Sequence, residues 1–514
     1  MKLSRGLTAG LMALAAGLPL PSSALAGALG PAIEGILGVP TGPGDEFWNY
    51  GQPTTLLERA KFVVSVSGQA ANLLARKYRS GQADHGYTLG IGGGAIMQWE
   101  YGVTGVWALG SGQSQDWTAP NRLYHLSPSP KIGFMAASHA VRFGGWAFGG
   151  TFYRSSFSLN DTFVFNRFPQ TSDPQLDRYL YSLLPRGLGR QIGYDAIGSR
   201  MLFLADIRRA TPIGQFGVAV NGWLASVDWI TQHENTIPAT DALYDRSYLA
   251  GTKQGDGHGG WHGVGVEGRW DGTLREGVTA ELRLGRGRGS GDANLSLRNP
   301  SLLPDGNGRF EREIESPDWG HDTLSVRTWS AGATTKWQPG PATTLAMNVD
   351  WARYDFGTQA FGRTPALSID YVPQEEMAVP IEQAARVDLD GHASAVGFDV
   401  ALARHERSSP WSWRLGAGIL QLDGTAHGLV VPEVLGFEAQ QSEHDWSWSA
   451  LRLAHVELQA KRQLTSQISL GYSFRQYIPL SGDWRRDGKH AAMPGGISGL
   501  RFGSVHQVVA SMSL

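Results

Sequence analysis

The chain has 514 residues, 44 of them Lys or Arg and 46 Asp or Glu, with 68 glycines, 18 tryptophans and no cysteine. A formal charge of −2 argues against a nucleic-acid partner, whose phosphates call for a basic surface. The absence of cysteine excludes a disulfide framework, a thiolate metal site and a thiol nucleophile. Glycine stands at about twice its usual ~7% share. The length allows either two or three soluble domains or one large β-structure.

Residues 1–26 read as an export signal. Lys2 and Arg5 precede an apolar run from Leu7 to Leu20, and Ala24 and Ala26 form a small-x-small site. Cleavage is expected after Ala26. No later segment reaches the ~18 consecutive apolar residues of a membrane helix. That leaves soluble periplasm, secretion or the outer membrane. An outer-membrane barrel escapes hydropathy detection because its lipid-facing and lumen-facing residues alternate.

From Tyr87 onward the chain repeats one unit: two strand-like runs joined by a short polar turn, then a long connection. The runs are 87–109 (one long glycine-rich strand or two short ones), 131–143, 145–159, 200–210, 215–230, 261–271, 277–288, 323–337, 343–355, 392–405, 411–423, 447–461, 467–478 and 500–514. Short connections such as 144–145, 211–214 and 272–276 alternate with long ones such as 160–199, 231–260, 289–322 and 356–391. This is the asymmetry of a barrel with short periplasmic turns and long external loops. The fold expected is all-β: a transmembrane antiparallel β-barrel of about fourteen strands, with a count that can err by two. It would occupy residues 87–514.

The pleat agrees. Val264, Val266 and Trp270 alternate with Glu267 and Arg269; Val278, Ala280, Leu282 and Leu284 alternate with Thr279, Glu281 and Arg283. Successive strand side chains point to opposite faces, so one face meets lipid and the other carries charge inward. Asp350, Asp399, Arg414, Glu457 and Arg475 fall in the same kind of position within runs bearing Met347, Phe398, Trp413 and Leu470. Pairing Glu267 with Arg283, and Arg269 with Glu281, would give a self-neutralising hairpin; Glu457 is expected beside Arg475. The last strand places Val508, Ala510, Met512 and Leu514 on one face, ending in leucine where such barrels commonly end in an aromatic residue.

The hairpin from Trp261 to Trp270 and from Gly277 to Leu284 resembles one in the FadL-type family of outer-membrane transporters for long-chain fatty acids and aromatic hydrocarbons. Residues 130–153, 331–351 and 411–418 are similar to other pieces of that family, and their order matches a fourteen-strand scheme. The family's N-terminal hatch carries an Asn-Pro-Ala motif, which is absent here. In its place residues 27–86 hold a Gly/Pro-rich stretch from Val39 to Gly44, then a mixed segment, 56–79, that suits either a helix or an extra strand. Residues 27–86 are read as a divergent periplasmic plug segment.

The resemblance implies an apolar ligand groove among the external loops. Phe163, Phe165 and Phe168 crowd one segment, and Asp173-Pro174 opens a candidate short helix whose apolar face would hold Leu176, Leu180, Leu183 and Leu184. Such a loop can equally fold onto its neighbours and close the pore. The resemblance also implies a lateral exit at a kink in the third strand, where Gly149 and Gly150 lie; tight packing is the other use of strand glycines. Arg154, beyond them, is a candidate partner for a carboxylate head group or, as one of 36 arginines, a lumen charge.

No enzymatic constellation emerges. His258 and His262 lie in what reads as a glycine-rich loop, without helix-face metal geometry. Gly285–Gly291 is Arg/Gly-rich but lacks the Lys-Ser/Thr and following helix of a phosphate loop; Arg286 and Arg288 can instead meet lipopolysaccharide phosphates. The expected function is a passive, monomeric outer-membrane channel for hydrophobic small molecules, without cofactor or metal, surrounded by outer-membrane lipid and lipopolysaccharide. The rival is a structural or receptor barrel with a blocked lumen that binds partners through its loops.

Overall fold

The computed structural model describes residues 52–58, 62–76, 83–115, 117–118, 124–126, 129–167, 188–236, 252–299, 314–369, 378–405, 409–434, 437–438, 440–490 and 500–513. Sixteen of its strands close into one antiparallel barrel. In chain order they are β1 (Phe62–Arg76), β2 (Ala83–Trp99), β3 (Gly102–Gln115), β4 (Ser129–Phe143), β5 (Trp146–Arg167), β6 (Leu188–Thr211), β7 (Gly214–Thr236) and β8 (Thr252–Arg275). There follow β9 (Val278–Asn299), β10 (Ile314–Gly340), β11 (Thr343–Ile369), β12 (Ala378–His405), β13 (Trp411–Val434), β14 (Ser442–Gln463), β15 (Ile468–Arg486) and β16 (Leu500–Ser513). Each pairs with its chain neighbours, and β16 closes on β1 through pairs such as Val66 with Ala510. Short strands Trp117–Thr118, Tyr124–Leu126, Phe437–Glu438 and Lys489–His490 extend the wall beyond the main strands.

Two strands beyond the expected fourteen come from identifiable places. The mixed segment 56–79 supplies β1, so residues 62–76 belong to the wall and not to a plug. The run 87–109 is a hairpin, β2–β3, turning at Glu100–Tyr101. This is the two-strand alternative for that run. A sixteen-strand wall departs from the fourteen-strand scheme that the resemblance implied.

The inside–outside assignment follows the pleat. Val264, Leu282 and Phe398 are 40–51% exposed, whereas Glu267 is 1% and Asp350 0% exposed. The greasy face therefore looks outward and the charged face inward, as a bilayer requires. Near the short turns the outward face carries Trp99, Tyr101, Phe143, Trp146, Trp337, Trp411 and Trp413, the aromatic girdle of a membrane–water interface. Arg209 lies over the Trp146 ring at 5.0 Å and Arg462 over Trp411 at 5.4 Å. These cations sit where one ring face is wet. Among the described residues no helix is long and apolar enough to cross a membrane; strands do the crossing.

The connections expected to be long are shortened by the strands themselves. β12 runs 28 residues and β10 and β11 27 each, against the roughly 9–11 a crossing needs. Most of 289–322 and 356–391 is thus strand projecting beyond the membrane. At one outer end Asp487 and Gly488, with φ of 52° and 72°, form the two-residue turn whose left-handed backbone matches strand twist.

Candidate functional site in the barrel lumen

A six-residue 3-10 turn, Pro53–Glu58, packs inside the barrel against β3, β4, β5 and β6. Pro53 suits the first position of such a turn because its missing N–H is unneeded there, and the Gln52 carbonyl accepts from the Thr55 amide and hydroxyl. Leu56 is fully buried. The Thr54 hydroxyl donates to Asp206 of β6, 2.7 Å from one carboxylate oxygen and 3.1 Å from the other. The Gln52 side chain accepts from Arg208 at 2.9 Å and donates to Glu281 at 3.5 Å. The segment is bound to the wall by side chains that would otherwise be stranded polar groups.

Gly149 of β5 is where the turn touches the wall. A Cβ there would stand 2.8 Å from the Thr54 nitrogen and 2.9 Å from the Pro53 ring. Backbone pairing continues unbroken through Gly149 and Gly150 to both β4 and β6. In this structure the two glycines lie in a fully paired stretch of wall, with a packing site for the turn at Gly149. No register shift interrupts either ladder at these two glycines. Trp146 and Phe148 do not cover the glycines; they stack on each other on the outward face at 6.4 Å.

Around the rest of the lumen runs a belt of charge near the short turns, on β6 to β15. All nine expected lumen charges lie on it. Glu267 pairs with Arg269, Arg283 with Asp350 at 2.8 Å, and Arg475 with Glu457 at 2.7 Å. The His455 ring lies 3.2 Å from Asp399. A cavity of about 450 Å³ opens among Arg283, Lys336, Asp399, Arg414, His455, Glu457, Arg475 and Tyr477. The expected partnering of β8 and β9 is corrected by two residues: Arg269 stands opposite Arg283, Asp271 opposite Glu281, and Glu267 opposite Gly285. The turn is at Glu276–Gly277 rather than 272–276, so each strand runs further before reversing. Like charges face each other across the hairpin, and neutralisation comes from Glu267 on the same strand and Asp350 two strands away.

That reach explains part of the glycine excess. Gly332 stands between Arg283 and Asp350 in the ladder, and a Cβ there would come within 2.9 Å of the guanidinium. Gly418 stands likewise between Asp399 and His455. Trp223 lies across Gly263 and Gly289, whose missing side chains leave room for the indole. Long inward groups thus lie flat over a bare strand.

Between the charged groups the inner wall carries apolar clusters. Leu202, Trp223, Ala225, Val227 and Trp261 form one buried cluster; Leu56, Ile96, Val103, Trp107, Leu109, Ala136 and Ala140 form another around the turn. Tyr153 of β5 packs against both. An apolar stripe therefore descends the wall of β2 to β8, from Trp261 through Tyr153 to Leu56; smaller buried clusters line the later strands, Val326, Ala352 and Tyr354 on β10 and β11 and Ala395, Leu420 and Tyr477 on β12, β13 and β15.

Other expected residues fall differently. Arg154 is exposed on the outward face of β5, in parity with Phe148 and Phe152, and is not a lumen charge. Phe163 and Phe165 lie in the backbone of β5, paired with Ile192 and Arg190. Phe168, Leu176, Leu180, Leu183 and Leu184 lie outside the described residues. His258 and His262 belong to β8, not to a loop, and His258 pairs with Asp228 at 2.6 Å. Gly285–Gly291 lies within β9 rather than at a strand end. Among the described residues no cluster of metal-ligating side chains occurs. Gln52, Thr54, Asp206, Arg208 and Tyr153 escaped the sequence reading. The alternation of Leu202, Leu204, Asp206 and Arg208 on one face was visible there, but no local signal tied it to Thr54.

Fold and lumen define a transmembrane antiparallel β-barrel with an internal turn bound to its wall. The chain is similar to TodX, a toluene transporter of P. putida, at 11% identity and a TM-score of 0.37, covering 90% of this chain and 92% of that one. It is similar to a FadL homologue of Pseudomonas aeruginosa at 10% identity and a TM-score of 0.35, covering 91% and 95%. It is also similar to FyuA, the ferric yersiniabactin uptake receptor of Yersinia pestis, at 8% identity and a TM-score of 0.35, covering 88% and 80%. At these values the likeness says nothing of what this chain carries. No family model and no curated protein matches it.

Proposed function

We propose that the protein is a passive channel in the outer membrane of a Gram-negative cell, reached after loss of residues 1–26, and that it admits hydrophobic small molecules. The observation that supports this reading is the apolar stripe from Trp261 through Tyr153 to Leu56. A water-filled pore has a polar interior. Here the inner face of β2 to β8 offers a greasy path that reaches the turn, while inward charge is concentrated toward the periplasmic end. The solute lands among the external segments that carry Phe163, Phe165, Phe168, Leu176, Leu180, Leu183 and Leu184. It follows the stripe inward and reaches the Pro53–Glu58 turn. Exit is past that turn once displaced, or laterally beside Gly149 and Gly150, where Pro53 and Thr54 of the turn lie over Gly149.

The test is uptake of a labelled fatty acid and a labelled alkylbenzene by a deletion strain carrying wild-type protein or Tyr153→Ser. The variant is expected to cut uptake several-fold at equal surface abundance. Equal uptake of every apolar solute with and without the protein would sink the reading. The hydrogen bonds that tie the turn to Asp206 and Arg208 favour the second reading, a receptor barrel with a blocked lumen. That reading requires both solute flux and bilayer conductance to be absent.

A further inference from the structure

On the outward face, at the upper margin of the apolar band, four arginines cluster on three adjacent strands. The ladder places Arg286 of β9, Trp329 of β10 and Arg353 of β11 in one row. Two residues farther from the short turns, Arg288, Arg327 and Asp355 form the next row. Immediately below, on the membrane side, Leu284, Ala331 and Trp351 form a third. Leu284 and Trp351 are exposed, and all four arginines are exposed. Arg353 pairs with Asp355 at 3.0 Å, and Arg286 lies over the Trp329 ring at 5.8 Å. Among the described residues neither Arg288 nor Arg327 has a carboxylate within ion-pair distance.

Arg288 and Arg327 stand directly opposite each other. Like charges in that position repel, and the carboxylate of the same row, Asp355 opposite Arg327, is paired with Arg353. Four guanidiniums against one carboxylate thus leave an outward patch of net positive charge resting on an apolar row. An anion seated between Arg288 and Arg327 would turn the repulsion into two charge-assisted hydrogen-bond sets, for which the planar guanidinium fork suits phosphate.

We propose that this patch binds the phosphorylated sugar head of an acylated glycolipid of the outer leaflet. The phosphate sits between Arg288 and Arg327, flanked by Arg286 and Arg353, while acyl chains lie on Leu284 and Trp351. Charge above and grease below match a ligand with an anionic head and hydrocarbon tails. The Arg/Gly-rich stretch of β9 thereby acquires a role: its arginines look outward. Its glycines look inward, where Gly289 makes room for Trp223. The inference stands on the outward face alone and is independent of what crosses the lumen.

The experiment measures binding to the purified, detergent-solubilised full chain by native mass spectrometry. The probes are bisphosphorylated lipid A, its dephosphorylated form and inorganic phosphate. Wild-type protein is expected to retain lipid A at least ten times more strongly than the dephosphorylated lipid. The double variant Arg288→Gln/Arg327→Gln should lose that preference, and Arg452→Gln, on β14 away from the patch, should keep it. Heat-modifiable gel migration verifies that each variant remains a barrel. Equal binding of both lipids by wild-type protein overturns the proposal without recourse to any variant. Displacement of lipid A by millimolar inorganic phosphate overturns the lipid source and leaves a free-phosphate site. Equal affinity of the double variant overturns the assignment to these arginines.

Discussion

Arg283 of β9 and Asp350 of β11 meet at 2.8 Å across an intervening strand, over the bare backbone of Gly332. The contact needs all three residues. Asp350 has no exposure, and the Asn348 side chain donates to it at 2.5 Å while accepting from Arg283 at 3.2 Å. Breaking a buried pair by removing one partner costs about 3–5 kcal/mol, because the other charge is left uncompensated.

Asp350→Ala should therefore lower barrel stability by an amount of that order, read from the urea concentration at which the heat-modifiable band is lost. Gly332→Val should approach the same loss, because its side chain must occupy the space of the guanidinium and carboxylate. The double variant Arg283→Met/Asp350→Leu should be much milder than Asp350→Ala, since no lone charge remains. Equal loss in the double variant would show that packing, not the ion pair, sets the cost.

The Thr54–Asp206 bond ties the inner turn to β6. Both residues are nearly inaccessible, at 3% and 1% exposure. Thr54→Val leaves the carboxylate without its donor, at a cost of about 1–3 kcal/mol. That is enough to shift a closed-to-displaced equilibrium by roughly 5–150-fold. The expected outcome is raised conductance in planar bilayers, with unchanged thermal stability of the wall, because the ladder is untouched. Unaltered conductance would mean that the turn does not gate the lumen.

Gly149 and Gly150 separate two uses of a strand glycine. A side chain at Gly149 meets Pro53 and Thr54 at 2.8–2.9 Å, whereas the nearest atom to a Cβ at Gly150 is the Leu204 carbonyl oxygen at 3.7 Å. Gly149→Val should displace the turn and reproduce the conductance of Thr54→Val. Gly150→Val should be nearly silent. The opposite ranking, with Gly150 the sensitive site, would favour a lateral opening in the wall.

These contacts also show where sequence reasoning stops. The two faces of the wall were legible because Val264, Leu282 and Phe398 alternate with charge, and period two survives any error in strand ends. Register was less secure. Placing the turn at 272–276 instead of Glu276–Gly277 slid every β8–β9 partner by two, which kept the faces right and the pairs wrong. Arg154 was readable in principle, since Trp146, Phe148 and Phe152 share its parity. β1 was legible only as an alternative, because Phe62–Arg76 mixes apolar and small residues without clean alternation. Thr54 and Asp206 lie 152 positions apart, and nothing local in either segment announces the other. Lumen contacts of this kind depend on closure of the whole ring.

At the outer ends of β13 to β15, beyond the membrane, cross-strand pairs couple stability to pH. His427 stands opposite Asp445, 2.8 Å apart, and the hydrogen bond to Asp445 raises its pKa, aided by the charges of Asp445, Asp390 and Glu443 against some desolvation. The Asp445 amide, followed by the His444 side chain, holds Asp487 below the usual carboxylate range. A raised histidine contributes stability that is complete below its unfolded pKa and is lost as pH rises through the folded value. A depressed aspartate contributes stability present above its unfolded pKa and lost as pH falls through the folded one. The outer hairpins should therefore be most protected between these limits, in mildly acidic solution. Amide hydrogen exchange of β13 and β14 residues, corrected for the intrinsic pH dependence of exchange, should show protection falling as pH climbs past the His427 transition. His427→Gln should flatten that limb and leave the acid limb, set by Asp487, in place. Both groups are exposed, so the effect stays local, and a change in global unfolding between pH 6 and pH 8 of the same size in wild type and variant would place its origin elsewhere.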